Sequence, residues 1–239
     1  MTGRAPRALV VIGAGGFARE TVEAVRAVNA AGGGWRLAGY LDDNPALHGI
    51  VIDGLPVLGG LDALAAVRDA AVVVCTGRPG NYLSRPRIVA ALSLPAERYA
   101  TIIHPSASVS STSRVGPGSV VLAQTVLTAA VSVGSHVAVM PHVTLTHGDV
   151  VSDFATAAAG VRLGGDVHVG RCAYLGAGAL VREQRSIGSG ALVGMGAVVT
   201  NDVPPGEVWA GVPARYLRKA AAVASPGAAV GTPAEWEYK

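Results

Sequence analysis

From Ile103 onward every sixth residue is apolar: Ile103, Val109, Val115, Val121, Leu127, Val133, Val139, Leu145, Val151, Ala157, Leu163, Val169, Leu175, Val181, Ile187, Val193 and Val199. Two residues before each anchor the side chain is usually small or β-branched, as at Ser119, Thr125, Val137, Val161 and Ala179. Glycine often follows the anchor, as at Gly116, Gly134, Gly164, Gly170, Gly176, Gly188 and Gly194. A helix repeats at 3.6 residues and a strand at 2, so neither produces this register; a hexapeptide solenoid does. Three hexads make one turn of about 18 residues, giving a triangular coil of short parallel strands whose anchors and small residues stack inward. Turns about 4.8 Å apart build a prism roughly 25–30 Å long, each turn burying its core against the next. The glycines after the anchors are expected to turn its corners.

Composition agrees with such a core. Hydrophobic residues make up 50% of the chain but aromatics only 5%, with 32 glycines and 15% charged residues, which argues against an ordinary helical bundle. The formal charge of +3 is a weak basis for nucleic-acid binding, because only Arg215, Arg218 and Lys219 cluster. Cys75 and Cys172 are too few for a disulfide framework and suit a reducing, cytoplasmic compartment. The apolar run near the N-terminus is too short to span a membrane. Residues 115–148 lack Asp, Glu, Lys and Arg, yet their Ser, Thr, Gln, His and Gly mark a folded interior and no membrane partner.

The first 100 residues read as a small parallel α/β unit of Rossmann-like type. "ALVVIGAGGFARETVEAVRAV" gives a strand over 8–12, a glycine turn at Gly13, Gly15 and Gly16, and a helix over 17–28. "WRLAGYLDDNP" gives a second strand ending at Asp42 and Asp43. "LPVLGG", "LDALAAV" and "AAVVVCTG" continue the strand–helix alternation, and "RPRIVAALSL" closes it with a helix. Such a turn brings backbone N–H groups to a phosphate at a helix N-terminus, and carboxylates after the second strand meet a ribose hydroxyl. "GAGGFA" is an incomplete dinucleotide fingerprint in a short unit, which favours a mononucleotide or nucleotide-sugar over a dinucleotide; a tight turn with no ligand is the alternative. Gly77, Asn81 and Arg85 in "CTGRPGNYLSR" are expected to complete this pocket. The expected organisation is therefore 1–100 as a nucleotide-sugar-binding domain, 101–219 as the coil, and 220–239, rich in Ala, Gly and Pro, as a flexible tail.

The coil, the preceding "VVIGAGGFARE…YLDDNP" unit and the closing "GEVWAGVPAR" together resemble the hexapeptide-repeat sugar acetyltransferases of the sialic acid O-acetyltransferase and bacillosamine-pathway N-acetyltransferase type. The resemblance covers about residues 8–219. It implies a left-handed β-helix, a homotrimer, acetyl-CoA as donor between neighbouring prisms, and a sugar or nucleotide-sugar acceptor. It also implies a histidine that removes a proton from an amine or hydroxyl. "THGDVVSDFAT" resembles the family stretch carrying that residue, which falls on His147. A base of near-neutral pKa suits acyl transfer from a thioester.

Asp149 breaks the small inward series beside His147, and a core-directed carboxylate is costly unless paired. A role in orienting or charging the imidazole is the expectation. Two residues depart from the family pattern. Gly148 stands where the family carries Glu or Asp, and Thr156 stands where a second, substrate-side histidine is often found; Thr156 can still hydrogen-bond a sugar hydroxyl. Gly165, Ala177, Gly178 and Gly196 are expected along the pantetheine groove, with Arg215 toward CoA phosphate. A metal reading rests on the H-x4-H pair His142 and His147, as in hexapeptide-repeat carbonic anhydrases, but it lacks a third histidine, so no metal is expected. Amino and hydroxyl acceptors both remain open, as does a non-catalytic trimer that binds a nucleotide or an acyl-carrier partner.

Overall fold

A computed structural model describes residues 6–220. The expected tail, from residue 221 on, lies outside the described residues. The N-terminal unit runs β1 (Arg7–Ile12), α1 (Gly16–Ala30), β2 (Trp35–Leu41), the short hairpin β3 (Val51–Ile52) and β4 (Leu55–Pro56), β5 (Ala71–Val74) and α2 (Ser84–Leu92). Its sheet is parallel in the order β2-β1-β5. The helix period places Ala18, Val22 and Val25 on one buried face of α1 against Leu9 and Val11. The expected alternation weakens in the middle. Only Leu55–Pro56 of "LPVLGG" is a strand, paired antiparallel, and "LDALAAV" forms a 3₁₀-helix over Leu61–Val67. Pro56 lacks an amide donor and Gly59–Gly60 cut the run short.

Seventeen two-residue strands follow, from Ile102–Ile103 to Val198–Val199, one every six residues. They stack as three parallel ladders. The first face carries Ala138–Val139 and Thr156–Ala157, the second Thr144–Leu145 and Arg162–Leu163, and the third Val150–Val151 and His168–Val169. Every anchor from Val121 to Val199 is at most 4% exposed. Truncating a buried leucine such as Leu145 to alanine would therefore cost about 2–5 kcal/mol. A hairpin of Glu207–Ala210 and Arg215–Lys219 closes the last turn on the first face.

The corners correct the sequence reading. Fourteen consecutive hexads have positive φ at the third residue after the anchor, from Gly118 through His136, His142, Gly148, Phe154 and Asp166 to Gly196. Eight of the fourteen are not glycine, although a left-handed residue costs roughly 1–2 kcal/mol. This conformation aims the corner amide at the preceding turn: His136 donates to Pro117 O, Phe154 to Ser135 O and Asp166 to His147 O, each at 2.9 Å. The glycines directly after the anchors serve a different need. At Gly170 and Gly176 a Cβ would stand 2.5 Å from a backbone nitrogen of the next turn.

The N-terminal unit sits on the first face and on the edge between the third and first faces. Ile102, Val120 and Leu122 share a core with α1. Tyr82 Oη donates to Gly190 O at 2.8 Å. Arg85, only 1% exposed, donates to the carbonyls of Thr76, His136, Phe154 and Ala155 and to Thr156 Oγ1. Burial pulls its guanidinium down to about 10, so it stays charged at neutral pH.

Candidate active site

A cleft of about 380 Å³ opens at the C-terminal end of the parallel sheet. Gly13, Gly15, Gly16, Asp42, Asp43, Gly77 and Asn81 all line it, so seven of the nine sequence-proposed acceptor residues meet there. Gly13 has φ +97°, and a Cβ on it would press Cys75 O at 2.8 Å. Gly15 and Gly16 differ: neither has a left-handed φ, and a Cβ on either meets nothing within 4 Å. Their bareness keeps space open over the N-terminus of α1, whose first turn holds no acidic side chain and whose leading amides lack helical acceptors. Asp42 accepts from Ala14 N through Oδ2 and from Asn44 N through Oδ1, both at 2.9 Å. Asp43 accepts from Leu61 N at 3.2 Å. These bonds hold the rim of the cleft, and each carboxylate keeps lone pairs for a hydroxyl. Arg78, the one cation among the lining residues, was missed; its signal was "TGRPG" at the end of β5.

Arg85 and Thr156 lie elsewhere. Thr156 is 7% exposed, and its hydroxyl accepts from Arg85 Nη2 at 2.7 Å. Both residues join the two parts of the chain and lie outside the lining of the cleft.

His147 stands exposed on the edge between the second and third faces. Among the described residues neither ring nitrogen has a hydrogen-bond partner. Asp149 beside it is fully buried. Its Oδ2 accepts from Thr146 N at 2.7 Å and its Oδ1 from Val167 N at 2.9 Å. Ser113 and Ser119 cap the amides of Val131 and Val137 in the same way. Asp149 thus holds the coil, and it acts on the imidazole by charge and not by a hydrogen bond. Burial pushes its carboxyl up to about 6, against the pull of those amides and of His147.

His136, at the corner three residues after Val133, is buried. It is 6% exposed, T-shaped to Tyr99 at 4.6 Å and stacked on Phe154 at 5.0 Å. Its Nδ1 is buried without a partner, and burial pulls the ring down to about 4.

The remaining candidates fall on separate edges. Ala177, Gly178 and Gly196 lie exposed on the edge between the first and second faces, where a Cβ on Gly178 or Gly196 meets nothing within 4 Å. Gly165 lies instead beneath His147 and is buried. Arg215 is exposed in the closing hairpin and donates to Ala214 O. His142 is one edge away from His147, so the pair does not converge within one chain. Among the described residues no three His, Cys, Asp or Glu group as metal ligands, and no helix is long and apolar enough to cross a membrane.

Residues 8–90 match the family model of the PglD N-terminal domain. The acetyltransferase domain of PglB from Neisseria gonorrhoeae is 32% identical, with 88% of this chain and 100% of that one covered at a TM-score of 0.78. PerB from Caulobacter crescentus, solved with CoA and GDP-perosamine, is 29% identical over 88% and 97% of the two chains, with a TM-score of 0.74. A putative acetyltransferase of Schizosaccharomyces pombe is 33% identical over 91 residues, which span 38% of this chain and 44% of that protein's length. An N-terminal cleft unit, a six-residue coil built on it and one-third identity across an entire solved acetyltransferase domain place the chain in the hexapeptide-repeat sugar acetyltransferase family.

Proposed function

We propose that the chain transfers an acetyl group from acetyl-CoA to an amino or hydroxyl group of a nucleotide-linked or related sugar, with His147 as general base. The observation that carries this reading is the His147 imidazole, exposed on a coil edge with both nitrogens free of the protein. A core histidine would have partners or burial, as His136 does. The cleft at Gly13–Gly16 suits the nucleotide: open α1 amides and Arg78 face phosphate, while Asp42 and Asp43 offer acceptors to ribose hydroxyls.

Acetyl-CoA supplies an activated acyl carbon. His147 takes the proton from the acceptor N–H or O–H as that atom bonds to the carbon, so the attacking atom need not carry full positive charge; the C–S bond then breaks, and CoA leaves as the thiol after its sulfur takes up the proton held on His147. No covalent enzyme intermediate is required once donor and acceptor are held in place. The uncluttered edge at Ala177, Gly178 and Gly196 suits a narrow pantetheine chain, and Arg215, exposed in the closing hairpin, suits a phosphate. That edge, the His147 edge and the cleft lie apart within one chain, so assembly is part of the reading: a homotrimer, each copy's base working against surfaces of its neighbours.

The test is release of CoA from acetyl-CoA in the presence of UDP-, GDP- and dTDP-linked amino and hydroxy sugars, with product mass. Turnover lost in His147→Ala, with nucleotide-sugar binding kept, supports the transferase. Nucleotide binding without CoA release on any of these acceptors favours a non-catalytic trimer.

A further inference from the structure

The geometry points to Gly165 as a positioning residue for His147, a role that rests on the transferase reading above. The second residue after each anchor is occupied by Pro, Ser, Ala, His, Asp, Arg, Glu, Met and Asn along the coil from Pro105 to Asn201. Gly165 is the only glycine among these seventeen positions. It is also the one position directly beneath His147, one turn of 18 residues later, as the pairing of Thr144 with Arg162 requires.

Backbone conformation does not demand glycine there, because Gly165 is absent from the residues with positive φ. The three atoms nearest to a Cβ on Gly165 all belong to the preceding turn, unlike at Gly164, where a Cβ would strike Glu183 N of the next turn at 2.6 Å. What fills the space of the missing side chain is the imidazole. A Cβ on residue 165 would stand 1.9 Å from His147 Cε1 and 2.6 Å from each ring nitrogen. The ring therefore rests edge-on against the glycine and covers it; Gly165 is buried although it lies at a prism edge. A seated ring cannot swing freely about χ1 and χ2, and a base displaced by about 1 Å can lose about a hundredfold in rate.

Gly165→Ala tests this. The clash falls on the end of a side chain and not on backbone, so the coil keeps its fold while the ring must leave its seat. In protein labelled with ¹³C-histidine, the Cε1–H signal assigned to His147 through His147→Ala should shift, with the other five histidine signals unmoved. With the acceptor on which the wild-type chain releases CoA, kcat should fall about 10–100-fold, with KM for both substrates within about twofold. Gly165→Ala added to His147→Ala should lower the residual rate no further. If His147→Ala alone leaves kcat intact, the function reading fails. If His147→Ala abolishes turnover while Gly165→Ala leaves both the His147 signal and kcat as in the wild type, the seat is overturned and the function reading stands. A Gly165→Ala protein that loses melting temperature and shifts all six signals also overturns it, because the glycine then serves the coil.

Discussion

Arg85 Nη2 donates to Thr156 Oγ1 at 2.7 Å across the junction between the α/β unit and the coil. The same guanidinium reaches Thr76 O at 2.7 Å on the wall of the cleft, so one buried cation ties the cleft to the prism. Thr156→Val removes a hydrogen bond to a charged group, worth about 2 kcal/mol. In a chain of this size that lowers Tm by about 4–8 °C. Arg85→Met strands the carbonyls of Thr76, His136 and Phe154, while Ala155 O keeps Ala138 N, and should cost about 3–5 kcal/mol. KM for a nucleotide-sugar should stay within about twofold in Thr156→Val. A large rise in KM with unchanged melting would return Thr156 to the substrate.

The cleft makes a sharper distinction between fold and ligand. Gly15 has φ −81° and ψ −171°, which any residue adopts, and open space where a Cβ would go. Gly15→Val should fold and melt as the wild type yet weaken nucleotide binding about tenfold or more, a loss of about 1.4 kcal/mol. Arg78→Ala should weaken a nucleoside diphosphate more than the nucleoside, and added salt should shrink the difference. Calorimetric titration with UDP, GDP and uridine reads both effects. Wild-type affinity in both variants would move the ligand out of this cleft.

The coil was legible because its period is written into the sequence from Ile103 to Val199 and needs no partner to be seen. The corner residues were not, because φ leaves no mark when Gln, Ala, His, Phe and Cys all accept the left-handed region. Asp149 was correctly seen as an exception to the inward series. Its caps on Thr146 and Val167 were not legible, since those amides become neighbours only through the turn and the 18-residue stack. Arg85 and Thr156 lie 71 residues apart in different units, and no spacing rule joins them. The glycine turn with Asp42 and Asp43 was legible, as its elements are local and follow strand ends.

Acid stability should carry two opposing contributions. His136, ordinarily at 6.5, is held near 4 in the fold, so its contribution is complete above about pH 6.5 and is lost as pH falls toward 4. Asp149, ordinarily at 3.8, is held near 6, so its contribution is complete below about pH 3.8 and is lost as pH rises through 6. Each shift corresponds to about 3 kcal/mol at most. Relative to the wild type, His136→Phe should gain stability from pH 6 to 4, and Asp149→Ser should lose it. Serine keeps a cap for Val167 N, as Ser113 and Ser119 do for their amides. Urea midpoints at several pH values between 4 and 7 check this; two variants that track the wild type would remove both groups from the balance.

Asp149→Ser should also keep turnover within about threefold, because the carboxylate caps backbone and makes no hydrogen bond to His147. The outcome to look for in CoA release is kcat against pH at fixed saturating substrates. A loss of about a hundredfold would restore Asp149 to the catalytic group.

Gly148 follows His147 at a corner with φ +73°, and a Cβ there would stand 2.1 Å from Asp166 Oδ1. A carboxylate from the next turn therefore already occupies the volume that an acidic side chain at 148 would enter. Asn and Asp both tolerate this backbone region, so they differ chiefly in charge. Gly148→Asp sets two carboxylates side by side at the surface, a repulsion of about 1 kcal/mol that salt screens. Gly148→Asp should melt below Gly148→Asn in low salt, the gap closing at about 1 M salt, and Asp166→Asn should rescue Gly148→Asp. Equal melting of the two variants in low salt would mean that Asp166 swings away freely and does not hold the place beside His147.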